Sequence, residues 1–375
     1  MNRRLLFRLI VIAIAACGFA LNTAHAESSA GAFGDQVDLT RLGELAIHTE
    51  GRVKSLDSFT REAMQNVSGS HKIAGRSPTF MYFDLMLRPD AYADADVIFM
   101  KQKQMRVQVA QALRQAMRTD ASQLPEAMQA ELAKRTAEIE PRLDQFIDTG
   151  LISARMLMDP RVQEVLQRLP TDLLRGAKFV QALDTAMSVM NPQVLRMNLN
   201  LVPPPGGGVR DGWVTLHDIA NPQPGVDISK LDPPTAQKLS QAWTSFTSGW
   251  INQDAAGVNS AAAQLASMLP AVNAAVYPAQ GRLHWEAWYF RMYNLTWVWV
   301  LYALALIPLL LSVAFRWPAA RWIGLFMFLV AFGFHTFAVM LRWYVADRWP
   351  NSNMFEAVTT AAWFGGCLAL LLEIF

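Results

Sequence analysis

Two uncharged stretches near the C-terminal end constrain this chain more than anything else in it. Leu295–Phe315 holds no charge in 21 residues, and Trp322–Leu341 holds none in 20 apart from the imidazole of His335. Either is long enough to cross a hydrocarbon core of roughly 30 Å at about 1.5 Å per residue. A helix on the surface of a soluble domain rarely runs that far without a charge on its wet face. Ala357–Leu372 is a shorter apolar run closed by Glu373. The expected fold class is therefore mainly α: a polytopic α-helical membrane protein with spans at about 295–315, 322–341 and 355–375.

The N-terminus predicts where the rest lies. Arg3 and Arg4 form a basic start, Leu9–Leu21 an apolar core and Ala24-His25-Ala26 a small-x-small cleavage site, the pattern of a signal peptide over residues 1–26. Ile14-Ala15-Ala16-Cys17 also has the form of a lipoprotein cleavage box, although a chain with its own spans gains little from an acyl anchor. Residues 27–285 then form an exported domain, 286–294 an interfacial helix rich in Trp and Tyr, and 295–375 the membrane part. The loop Arg316–Arg321 is short and basic, as a cytoplasmic loop should be. The second span accordingly delivers Arg342–Glu356 to the outer face. The third apolar run covers only about 24 Å and has no Lys or Arg to anchor it, so we expect the natural protein to continue into further spans.

Within the exported part the pattern is mostly helical with small hairpins. Leu45–His48 and Arg52–Lys54 flank a Thr49-Glu50-Gly51 turn. Asp57 is placed to cap a helix from Ser58 to about Val67, and Ser77-Pro78 opens another to Leu87. Lys101–Gln145 has helical period with expected breaks near Pro125 and Pro141. Val162–Leu169 and Thr171–Met190 continue it. Met197–Leu201 alternates like a strand, with Trp213–Leu216 as a partner. Pro234–Asn252 and Ala255–Leu269 read as an antiparallel helical pair.

Several function classes are excluded. A net charge of +2 without a basic stripe argues against nucleic acid. Two cysteines without a Cys-x-x-Cys pair support no disulfide framework or thiol chemistry. There is no phosphate loop, nucleophile elbow or His-Glu-x-x-His, so no catalytic residue is identifiable. His48, His71, His217 and His284 are scattered singly and read as ordinary polar residues. His335 differs because an ionisable residue inside a span faces a partner, a cavity or a cofactor. It either bonds a neighbouring helix or serves as an axial ligand to haem iron. Arg342 stands two turns above it on the same face. Arg342 and Arg348 would then face propionates, with Trp343, Tyr344 and Trp349 as flat apolar contacts; otherwise they anchor the span. Ser352 or Asn353 can cap the third span, and Glu356 complements its dipole.

These residues also carry a resemblance. Arg342-Trp343-Tyr344, followed by Pro350, Ser352, Asn353, Met354, Phe355 and Glu356, resembles the signature after an early span in the cytochrome c assembly protein family of the CcsA (ResC) type. Gly51–Phe59 resembles the opening of the extracytoplasmic domain in the long form of that family, with Ser55 where proline is common. Leu269–Tyr293 resembles its approach to the membrane. The resemblance implies c-type cytochrome biogenesis: haem carried to the outer face of a bacterial inner membrane and joined there to the thiols of apocytochrome c. It implies haem as cofactor, a ResB-type partner subunit and a periplasmic location for the large domain. The family's Trp-rich WWD region, with its flanking histidines, is absent from this sequence, so haem proximity carries over to His335 alone. The competing expectation is a membrane-anchored envelope sensor or partner-binding protein without cofactor; a transporter would want more polar residues in its spans.

Overall fold

The computed structural model describes residues 31–70, 73, 75–118, 126–168, 173–208, 211–222, 230–346 and 352–374. The signal segment, Cys17, His71, the break expected near Pro125, and Arg348, Trp349 and Pro350 lie outside them. The chain is mainly helical with small two-stranded antiparallel sheets and three helices long and apolar enough to cross a membrane, Tyr293–Phe315, Pro318–Ala346 and Met354–Glu373.

The hairpin forms as read. Ala46–Thr49 pairs with Arg52–Ser55 across Glu50-Gly51, both at positive φ (50° and 71°), the backbone a two-residue hairpin turn requires. The next helix differs in its start. It runs Leu56–Ser68 and is capped by Ser55, whose Oγ accepts the Ser58 N–H at 3.3 Å. Asp57 sits inside the first turn and binds Arg61 and Arg291 instead, at 3.3 and 3.5 Å. Ser55 takes the cap because it ends the strand in extended backbone, the conformation an N-cap needs.

Helix Pro78–Leu87, capped by Ser77, is the centre of the domain that precedes the spans. It is buried nearly all round, through Phe80, Met81, Tyr82, Phe83, Leu85 and Met86. Trp250 lies among Phe33, Phe80, Phe83 and Phe246, with ring centroids between 5.0 and 5.8 Å apart. Asp84, fully buried, accepts hydrogen bonds from Trp250 Nε1 at 2.9 Å and from the Tyr92 hydroxyl, and faces Arg88 at 3.5 Å.

Around this centre three sequence expectations need correction. Pro141 does not end a helix; Glu126–Thr149 continues through it. Arg114 of the facing helix Lys103–Arg118 holds Glu140 and Asp144, one on either side of the proline, each at 2.7 Å, which offsets the lost backbone bond. The strands expected at Met197–Leu201 and Trp213–Leu216 shrink to a single antiparallel bridge, Val202 with Val214. Asn191 and Thr215 cap short helices, Pro192–Met197 and Leu216–Ala220, that take over the outer ends of both. Proline at 203–205 supplies no N–H to extend a ladder. The helical pair is present as Pro233–Ile251 and Ala255–Val272, capped by Asp232 and Asp254. A second small sheet, Ile98–Phe99 with Leu151–Ile152, had no clear sequence signal.

The third correction concerns the approach to the membrane. The helix there is Gln280–Arg291, beginning before the expected domain boundary at 285/286 and stopping before Asn294. It is a strut packed on one face: Leu283, Glu286, Ala287 and Tyr289 are buried between the preceding domain and the second span, while Trp285 stays exposed. The first two spans pack closely because Gly324 has no Cβ; one there would lie 2.6 Å from Leu309 Cγ. Outward side chains such as Leu310, Val313, Phe326 and Leu372 remain exposed, as lipid-facing positions should be.

Replacing Asp84 by Leu leaves the Trp250 and Tyr92 donors buried without an acceptor. The expected loss is about 3 kcal/mol, read as a lowered thermal midpoint of the full chain in detergent by tryptophan fluorescence.

Candidate functional site

The spans converge on His335. Its Nε2 lies 3.1 Å from the carbonyl oxygen of Thr359 in the third span, and its Nδ1 lies 3.1 Å from the Tyr302 hydroxyl in the first. A carbonyl only accepts, so Nε2 carries the proton and Nδ1 accepts from Tyr302. One imidazole thus ties three helices together. A second bond joins spans two and three beside it, where Trp363 Nε1 donates to Thr336 Oγ1 at 3.0 Å.

Two turns above, Arg342 meets Glu356. Nε and Nη2 of the guanidinium both donate to Glu356 Oε1, at 3.1 and 2.8 Å, and the carboxylate is completely buried. Its other oxygen accepts the Ser352 N–H at 3.1 Å, while Asn353 Oδ1 accepts the Glu356 N–H at 2.8 Å. Asn353 is therefore the cap of the third span. Glu356 reaches back as the acid of a capping box does, and compensates the helix dipole from inside its first turn.

Between the first and third spans, with the second as floor, is a crevice of about 360 Å³. His335, Arg342, Trp343, Phe355 and Glu356 all line it, so the structure brings together most of the described residues expected at a site. Tyr344 and Met354 point away and are exposed. Tyr302, Thr359, Asn294 and Tyr289 also line it and were missed. Tyr302 could have been found as a hydroxyl within an otherwise apolar run. Thr359 acts through its backbone carbonyl, which no residue type signals.

The chain enters the crevice through an unusual turn. Tyr293, Asn294 and Leu295 all have left-handed backbone, with φ of 51°, 55° and 55°. Such residues cost roughly 1–2 kcal/mol each. Burial of Leu295 against Tyr289, Val298, Ala338 and Leu341 holds them there. The turn leaves Asn294 Oδ1 buried without a hydrogen-bond partner.

The strut above carries the one strongly perturbed acid of the junction. Glu286 accepts the Ser55 N–H at 3.1 Å, and burial pushes its carboxyl up to about 7, against the pull of that bond and of Lys54, Ser58 and Arg342. Burial likewise raises the Tyr289 hydroxyl to about 12.

For a haem iron the fit is poor as the helices stand. Both nitrogens of His335 are engaged, and Arg342 is committed to Glu356. His335 fills the first of the roles its position allows, bonding neighbouring helices. Among the described residues no three His, Cys, Asp or Glu side chains gather as a metal site. No protein-family model matches the chain, and no curated protein matches it.

Glu286 makes the junction sensitive to pH. Below the ordinary carboxyl value of 4.5 both folded and unfolded chains hold the proton, and it costs nothing. Between 4.5 and about 7 the unfolded chain ionises first, so stability falls as pH rises, then levels off. Glu286→Gln keeps the acceptor for Ser55. It should match the parent near pH 4 and exceed it near pH 8 by up to about 3 kcal/mol, measured by denaturant unfolding at the two pH values.

Proposed function

We propose that this protein serves c-type cytochrome biogenesis, as part of the membrane machinery that brings haem to the outer face for attachment to apocytochrome c. The observation that carries the reading is a convergence. The three segments that resemble the assembly family are far apart in sequence, yet they meet at one junction. Asp57 of the first faces Arg291 of the second. Tyr289 of the second packs against Leu341 of the second span, whose next residue, Arg342, pairs with Glu356 in the third. Residues shared by a family for a common structural task should touch in this way.

The task we assign to these residues is positional. The strut, the left-handed turn and the Arg342–Glu356 pair hold the exported domain at a fixed attitude over the outer ends of the spans. That platform is where a ResB-type subunit and an apocytochrome would be received, with the large domain in the periplasm and the spans in the inner membrane. Haem, when bound, supplies the vinyl groups that react with the Cys-x-x-Cys-His thiols. No step is assigned here to His335. One departure from the family pattern is informative. A proline at position 55 could not donate to Glu286, so that bond is particular to sequences with Ser there.

Disrupting the gene in its host tests the reading. Covalent haem, detected by peroxidase staining of denatured membrane proteins, should be lost from the c-type cytochromes and return on complementation, while b-type spectra persist. Unchanged staining would overturn the proposal.

A further inference from the structure

The crevice has a property that the cytochrome assembly reading neither uses nor needs. Its walls are apolar and aromatic: Val298 and Trp299 from the first span, Ala338 and Val339 from the second, Phe355 and Val358 from the third. Trp299 and Val358 are largely exposed, so its mouth faces the lipid, not water. Three polar side chains of its lining are engaged with one another or with the backbone. His335 is bonded to Tyr302 and Thr359, and Arg342 is paired with Glu356. Asn294 Oδ1 is different: a buried carbonyl oxygen, held over the crevice by three successive left-handed residues, with no donor. A buried acceptor that is left unmet is costly and is normally matched by a protein or ligand group.

We propose that the crevice binds a neutral lipid-soluble aromatic alcohol of the phenol or quinol class, its hydroxyl donating to Asn294 Oδ1. Each part of the description follows from a wall. An acceptor calls for an O–H or N–H donor. The internally compensated Arg342–Glu356 pair leaves no net charge to attract an ion. Entry from the membrane side selects a molecule that partitions into lipid. The Trp299 and Phe355 rings favour a flat head that can lie against them, with any tail left among the acyl chains. The positive φ of Asn294 has a reason under this assignment, because asparagine is among the few side chains that tolerate such backbone while carrying a polar group.

The test uses the full chain in phosphatidylcholine nanodiscs, which offer no hydroxyl donor. Duroquinol is titrated under anaerobic conditions and followed by quenching of Trp299 and Trp343, with duroquinol dimethyl ether as the probe lacking a donor. Asn294→Gly removes the amide and keeps left-handed backbone accessible, so it should fold. Val358→Phe fills the mouth from a lipid-facing position. We expect saturable quenching by the quinol, about tenfold weaker binding of the ether, and about tenfold weaker quinol binding by Asn294→Gly. In that variant quinol and ether should become equal, and Val358→Phe should bind neither. Equal binding of quinol and ether by the parent, unchanged binding by Asn294→Gly, or quenching that never saturates would each overturn the proposal. None of these results bears on cytochrome assembly, which is judged by haem staining in the host.

Discussion

A carboxylate buried at the mouth of a membrane span is a severe constraint, and Glu356 is that constraint here. Its side chain is out of contact with solvent, yet it sits where two helices enter the bilayer. Taking a charge out of water costs several kcal/mol even after relaxation. It survives because Arg342 presents two N–H groups to one oxygen and the Ser352 backbone presents a third to the other. Such a pair adds little net stability compared with apolar residues of the same size. What it supplies is geometry: only one register of the third span against the second satisfies both oxygens. His335 enforces the same register below, through the Thr359 carbonyl.

From that fixed point the order passes upward. Leu341, next to Arg342, packs against Tyr289 and Leu295, so the second span holds the strut and the turn into the first span at once. Glu286 on the strut takes the Ser55 N–H, and Tyr277 just before it accepts the Ala46 N–H at 2.8 Å. The hairpin and the helix it caps are thereby seated on the membrane part through both of its strands. The left-handed turn at 293–295 is tolerated because these contacts on either side leave it no alternative path. A junction with this many buried polar ties, one of them an acid that resists ionisation, behaves as a rigid coupling rather than a flexible linker.

The features legible in the sequence were those with a local cause. An uncharged run of 20 residues can be read directly as a span, and so can a hairpin turn at Glu50-Gly51 or a cap such as Ser77 before Pro78. His335 and Arg342 were legible as neighbours because a helix fixes their relation. What could not be read was set by partners distant in sequence. Tyr302 reaches His335 across 33 positions and Ser55 reaches Glu286 across 231, and nothing in periodicity encodes either meeting. The cap fell to Ser55, which ends the strand in extended backbone, while Asp57 lies inside the first turn and meets Arg291 of the strut. Alternation at Met197–Leu201 suggested a strand, but the caps at Asn191 and Thr215 prevailed over it locally. The aromatic residues before the first span read as membrane anchors; Tyr289 is instead buried against Leu295 and Leu341. Where a contact distant in sequence decided the outcome, it outweighed a local propensity of a few tenths of a kcal/mol.

The central claim is that Arg342 and Glu356 act as one unit that fixes the third span to the second. A double-mutant cycle measures this directly, using Arg342→Ala, Glu356→Ala and the pair, with unfolding followed in mixed micelles. The account requires each single change to destabilise strongly and the double change to cost little more than either, a coupling of about 2 kcal/mol or above. Losses that simply add, to within about 0.5 kcal/mol, would contradict it.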